Sequence, residues 1–165
     1  MYNPNNRPYT LYRAKTRNNQ WVYSNDGVCR TSDKTFLPHV YECTDENGRT
    51  FFSFSYTEVQ PDTVCRSTGV SGEKLDSMDE YQSTEIYEGD IVTISYDGEI
   101  LNEGLVEYKY GAFLINCNDD MTHLLYETIH PLGTSLPSLS PARFELTIQG
   151  NRFDNPHLMK EIFDD

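Results

Sequence analysis

A chain of 165 residues is long enough to bury a core of its own, so one domain is the default and two small subdomains the variant. Its formal net charge of −13 repels duplex phosphate overall, and no apolar run nears the roughly 20 residues that span a bilayer. The opening Met1-Tyr-Asn-Pro-Asn-Asn-Arg lacks the apolar stretch of a signal peptide, so the expectation is a soluble cytoplasmic protein that engages no membrane.

Aromatic residues make up 13% of the chain and Tyr (12) outnumbers Phe (8), a balance that suits half-buried sheet faces better than a helical bundle. Residues 1–8 are rich in Asn and Pro and are expected to fray. Tyr9 to Ala14 and Gln20 to Ser24 predict a hairpin around Thr16-Arg-Asn-Asn, with Trp21 as its large anchor. The stretch from Asn25 to Pro38 predicts loop or short strand. Val40 to Thr44 and Thr50 to Tyr56 flank Asp45-Glu-Asn-Gly, where Asn47-Gly48 suits a primed turn. Within the second strand, Phe52, Phe54 and Tyr56 share one face, and in acidic surroundings that stripe is expected to be core rather than a base-stacking platform.

Pro61-Asp62 opens a connector, a strand runs from Val64 to Ser67, and residues 70–85 are polar and acidic enough to predict an exposed loop, with room for a helical turn around Lys74 to Tyr81. Gly89 then allows a sharp turn at positive φ, and the Asp90 carboxylate can bond backbone N–H groups there. From Asp90 the chain alternates with period two: Ile91, Thr93 and Ser95 face one way, and Val92, Ile94 and Tyr96 the other. Asp97-Gly98 supplies a tight hairpin loop. Sharp entry, strand and hairpin together predict a small SH3-like barrel. Further strands follow at Gly104 to Tyr110, at Ala112 to Cys117 after the Gly111 turn, and at Phe144 to Gln149, where Phe144, Leu146 and Ile148 lie on one side. Met121 to Thr128 predicts a short strand or helix, and Leu132 to Pro141 a loop. Asn155-Pro156 reads as an N-cap with proline at the first helical position, opening a short helix over His157 to Phe163 that packs through Leu158, Ile162 and Phe163.

Few residues suggest chemistry. Cys29, Cys43, Cys65 and Cys117 are scattered without a Cys-x-x-Cys, and His39, His123, His130 and His157 lack zinc-ligand spacing, so reduced thiols and no metal are expected. Glu88 and Asp90 suit a turn better than acid–base work, because no nucleophile or second ligand set stands near them. Asn118-Asp-Asp is too short for a calcium loop. No Gly-rich phosphate loop, nucleophile elbow or His-Glu-x-x-His occurs, so neither an enzyme nor a cofactor is expected.

Charge is unevenly distributed. Arg7, Arg13, Lys15, Arg17, Arg30 and Lys34 face only Asp26 and Asp33 within residues 1–38, whereas residues 73–103 hold ten acids against Lys74. Such a basic edge fits docking onto acidic surface of the same chain or of a neighbour. The alternative is a nucleic-acid footprint, in which Arg7, Arg13, Lys15 and Arg17 touch phosphates while Trp21 or Tyr12 stacks.

Three segments in this order resemble the YopX family of bacteriophage and prophage proteins: Thr68-Gly69 after a strand, Glu85-Ile-Tyr-Glu-Gly-Asp-Ile-Val, and Ile148-Gln-Gly-Asn-Arg-Phe-Asp-Asn-Pro-His-Leu. Tyr12-Arg13-Ala14 followed by Asn19-Gln-Trp-Val-Tyr is similar to the family's opening hairpin. The resemblance covers the chain from about Tyr9 onward and marks Gly69, Glu88, Gly89, Asp90, Gly150, Asn151, Asn155 and Pro156 as structural motif positions. It implies a mostly β fold with few helices and a phage or prophage protein of the bacterial cytoplasm, and it transfers no catalytic residue. One departure is the acidic connector at residues 71–84, longer than the short turn usual in the family.

The expectation is therefore a mostly β protein in three regions: an N-terminal hairpin sheet over 1–69, an exposed acidic connector over 70–85, and an SH3-like barrel with a terminal helix over 86–165. Its expected role is contact with a protein partner or with itself, with nucleic-acid association as the alternative.

Overall fold

The computed structural model describes residues 11–75, 81–117, 122–125 and 144–163. The chain divides into two compact units, Met1–Ser67 and Thr68–Asp165.

In the first unit, β1 (Tyr12–Lys15) and β2 (Trp21–Ser24) form the predicted hairpin, with Lys15 opposite Trp21 and Asn19 taking φ 59° in the turn. A three-stranded antiparallel sheet follows, built from β3 (Cys29–Arg30), β4 (Thr35–Thr44) and β5 (Thr50–Val59) in that order. The β4–β5 ladder runs unbroken from Thr35 opposite Val59 to Thr44 opposite Thr50. Its loop differs from the primed turn expected at Asn47-Gly48. Gly48 alone takes positive φ, 74°, while the Asp45 carboxylate accepts from the N–H groups of Asn47 (2.9 Å) and Arg49 (2.8 Å). That side chain replaces the second positive-φ residue as the organiser of a longer loop. Ala14, Leu37 and Val59 are buried together, with Tyr12, Val22, Val28 and Val64 packed around them.

A 3-10 turn at Pro61–Thr63 leads into β6 (Cys65–Leu75), whose first residues pair with β1. The Thr63 hydroxyl accepts from the Lys15 N–H at 2.9 Å and donates to the Gln60 carbonyl at 2.8 Å, tying the connector to β1.

The second unit contains β7 (Tyr81–Tyr87), β8 (Asp90–Tyr96), β9 (Glu99–Lys109), β10 (Ala112–Cys117), β11 (Thr122–Leu124), β12 (Phe144–Asn151) and helix α1 (Pro156–Phe163). Its strands run in the order β11-β10-β9-β8-β12-β6, with β7 on β6. Asp97 (φ 48°) and Gly98 (φ 83°) make the predicted tight loop between β8 and β9. Alternation buries Val92 and Ile94 of β8 with Leu146 and Ile148 of β12, joined by Ile86, Val106, Ile115, Cys117 and Leu125. Each such aliphatic side chain contributes about 1.5–3 kcal/mol by leaving water. Opposite faces of β8 and β9 send Ile91 and Leu105 against Ile162 of α1, with Leu158, Met159 and Phe163 alongside.

Two expectations are corrected. The SH3-like barrel over 86–165 is not closed: the described strands form open sheets, because β12 lies between β8 and β6 and no ladder among the described residues joins the ends of the order. Residues 70–75 and 81–85, expected as exposed loop, are strand instead, belonging to β6 and β7. Their polar composition reflects pairing with one solvated face rather than absence of structure. Thr122–Leu124 is strand within the Met121–Thr128 segment, while the Asn118-Asp-Asp turn and the Leu132–Pro141 loop lie outside the described residues.

Candidate functional site

The motif positions of the second unit converge on one corner. Gly89 takes φ 86°, a conformation that costs glycine little, and turns the chain from β7 into β8. Its N–H donates to the Val106 carbonyl (2.8 Å) and its carbonyl accepts from the Arg152 N–H (2.9 Å). Asp90 is buried, its carboxylate accepts from the Tyr87 N–H at 2.8 Å, and it stands opposite Asn151 in the β8–β12 ladder. Glu88 is half-buried in the turn itself.

Beyond a register shift at Gly150, the Asn151 side-chain oxygen accepts from the N–H groups of Phe153 and Asp154, each at 3.0 Å. Asn155 turns its Oδ1 back to the Asn151 N–H (3.2 Å), and Pro156 begins α1 as predicted. A Cβ at Gly150 would stand 2.4 Å from that Asn155 oxygen, so any larger residue would have to displace the Asn155 side chain. Thr68 and Gly69 serve a similar end in β6, where Gly69 takes φ 74° and the Thr68 hydroxyl donates to the Ile86 carbonyl at 2.8 Å. Each contact named here holds a backbone N–H or carbonyl in place.

The basic edge is largely consumed by the fold. Arg13 and Lys15 are only 9% and 6% exposed, and both lie over the Trp21 ring, at 4.6 and 5.2 Å from its centroid. The alternation of β1 and the register with β2 put all three on one side, where cation–π attraction holds them. Arg17 is exposed but bonds the Glu58 carboxylate, which Lys34 also meets at 3.1 Å. Lys34 and then Arg17 hold that carboxyl below its ordinary value. Tyr12 packs into the core of the first unit, and Arg7 lies outside the described residues.

The aromatic stripe of β5 behaves oppositely to its expectation as core. Phe52, Phe54 and Tyr56 are 58%, 59% and 58% exposed. Parity explains the outcome. Thr35, Leu37 and Val59, the buried residues of this hairpin, occupy odd positions of β4 and β5, so even positions face away from that core. Phe36, Pro38 and Val40 of β4 share the stripe's side of the ladder, and the Phe36 ring meets Tyr56 edge-on at 6.5 Å. Period two located the stripe correctly and is blind to which face is covered.

In the second unit, Ile91, Glu103, Gln149, Leu158, Glu161 and Ile162 line a recess of about 120 Å³, smaller than the roughly 300 Å³ at which ligand pockets begin. Among the described residues, no group of three His, Cys, Asp or Glu side chains is placed to hold a metal ion, and no helix is long and apolar enough to cross a membrane.

Comparison with curated proteins and with solved structures gives no significant match. The family model described as YopX protein matches residues 11–160, a span that includes both segments forming the Gly89 corner, and the chain belongs to that family.

Proposed function

We propose that this protein is a bacteriophage or prophage accessory protein that acts in the bacterial cytoplasm by protein–protein contact, through the even-numbered face of β4 and β5. The observation that carries this is the exposure of Phe52, Phe54 and Tyr56 beside Phe36, Pro38 and Val40 on one side of a sheet. Clustered surface aromatics are enriched at interfaces because each buries a large area at little conformational cost. Between Thr50 and Thr57 no side chain carries a charge at neutral pH, in a chain whose net charge is −13. Contact is favoured over nucleic-acid binding because Arg13 and Lys15 are occupied by Trp21, and Arg17 by Glu58.

The test is affinity capture from bacterial cells with the tagged chain and with a Phe52→Ser/Phe54→Ser variant of matched stability. Proteins retained by the parent chain and lost by the variant support the proposal. Equal recoveries at background level, with both chains monomeric in dilute solution, contradict it.

A further inference from the structure

Resting on that contact surface, we infer that its occupant is a second copy of this chain, joined through antiparallel pairing of the open edges of the two β5 strands. β5 is the end member of its three-stranded sheet, with β4 on one side and no described strand on the other.

The ladder fixes which backbone groups face that open edge. Pro38 stands opposite Tyr56 and has no N–H, so this pair is a non-hydrogen-bonded one. Two neighbouring bonds agree. The Pro38 carbonyl accepts from the Ser24 hydroxyl, and the Val40 N–H donates to Asp26 Oδ2 at 2.8 Å, both away from β5. The Asp45 N–H donates to the Arg49 carbonyl at 2.9 Å, which sets odd pairs as the hydrogen-bonded ones from the loop end as well. By alternation, the N–H and C=O groups of Phe52, Phe54 and Tyr56 point outward. The side chains of these three residues are exposed as well, as is that of Phe51 on the opposite face.

That coincidence makes the edge self-complementary. Outward backbone groups can bond only outward groups, so antiparallel pairing of two β5 strands sets even residues opposite even residues. Centred on Phe54, the pairing places Phe52 opposite the partner's Tyr56 and Phe54 opposite the partner's Phe54. The two aromatic stripes then merge on one face of a continuous sheet, in the cross-strand pairs that stabilise antiparallel ladders. A one-residue slip would set aromatic residues against Ser53 and Ser55 and also leave the backbone bonds unmade.

Charge permits the same occupant. Two acidic chains repel and Glu42 stands opposite Phe52 on this face, yet the strand that would form the seam is uncharged from Thr50 to Thr57, and Glu58 beyond it is matched by Arg17 and Lys34. β5 also lacks the proline, the lysine and the bulge with which edge strands discourage pairing.

The experiment combines sedimentation of the purified full chain over a range of concentrations with residue-resolved amide exchange. A reversible dimer is expected, tightening with added salt as acidic repulsion is screened. The amides of Phe52, Phe54 and Tyr56 should become protected only at high concentration, while those of Ser53 and Ser55, bonded to β4, stay protected throughout. Phe54→Lys should weaken association by about tenfold or more, through loss of an aromatic pair and apposition of like charges. Phe54→Pro should do the same by removing an outward N–H that β4 does not use.

A monomer at every concentration, or a dimer whose Phe52, Phe54 and Tyr56 amides exchange freely, overturns the inference. So does concentration-independent protection in a monomer, which would mean that the chain covers its own edge. Should the pure chain stay monomeric while capture from cells depends on Phe52 and Phe54, self-pairing fails and the contact proposal stands.

Discussion

The Asp90 carboxylate accepts a hydrogen bond from the Tyr87 N–H across the Glu88-Gly89 turn, at 2.8 Å and out of contact with water. The two residues thereby close the corner from which β8 enters the core of the second unit. Replacing Asp90 with Ala removes the acceptor and leaves that donor buried and unsatisfied, at a cost of about 1–3 kcal/mol. Asp90→Asn retains an oxygen at the same place and should fall between Ala and the parent chain. Urea unfolding of the three proteins checks the ranking, and equal midpoints for Asp90→Ala and the parent would remove Asp90 from the account of the corner.

Gly150 is the other steric keystone of that corner. Its Ala variant would drive a methyl into Asn155 Oδ1 at 2.4 Å and Cγ at 2.7 Å. The clash and the displaced Asn151–Asn155 bond should cost about 1–3 kcal/mol. Trimming the obstacle in the double variant Gly150→Ala/Asn155→Gly should recover part of that loss, and full additivity of the two substitutions would show that they do not meet.

Much of the fold was legible because local chemistry and tertiary structure agree. The Asp97-Gly98 loop, the β1–β2 hairpin, the inward face of β12 and the start of α1 at Pro156 follow from turn residues and periodicity alone. Pro38 shows where such signals mislead. Proline usually marks the end of a strand, yet β4 runs through it, because its missing N–H falls at a site where the β5 ladder needs none. The stripe of Phe52, Phe54 and Tyr56 was visible as a stripe, but its side was decided by Leu37 and Val59, whose burial depends on β1 and β2 packing beneath them. Residues 70–75 and 81–85 misled through composition: an edge-rich sheet with one wet face reads as loop. Glu58 was missed as the anchor of Arg17 and Lys34, since those residues lie far from it in sequence.

Trp21 should matter for stability rather than for binding phosphate. Trp21→Ala removes the ring beneath Arg13 and Lys15 and should destabilise the chain by about 2 kcal/mol or more. Thermal unfolding measures that loss. Were these cations a phosphate footprint instead, Arg13→Ala and Lys15→Ala would leave the fold intact and flatten the salt dependence of oligonucleotide binding.

Glu58 gives the account a pH signature. Its carboxyl lies below the ordinary value of 4.5, chiefly through the Lys34 hydrogen bond and then that of Arg17. A depressed folded-state value contributes stability above the unfolded value, and this is lost as pH falls through the folded one. Glu58→Gln should therefore melt below the parent chain at about pH 7, and the gap should close toward about pH 3. A gap that stays constant across this range would mean that Glu58 acts through packing and not through charge.

The most direct measurement places a photoreactive benzoylphenylalanine at position 54 and, in a separate chain, at position 110, where Tyr110 is a fully exposed aromatic residue of the second unit. Irradiation in bacterial cells should give discrete covalent adducts from position 54, whether with a second copy or with another protein, and little from position 110. No adduct from position 54, or the same products from both positions, would contradict the assignment of the β5 aromatic face as the contact surface.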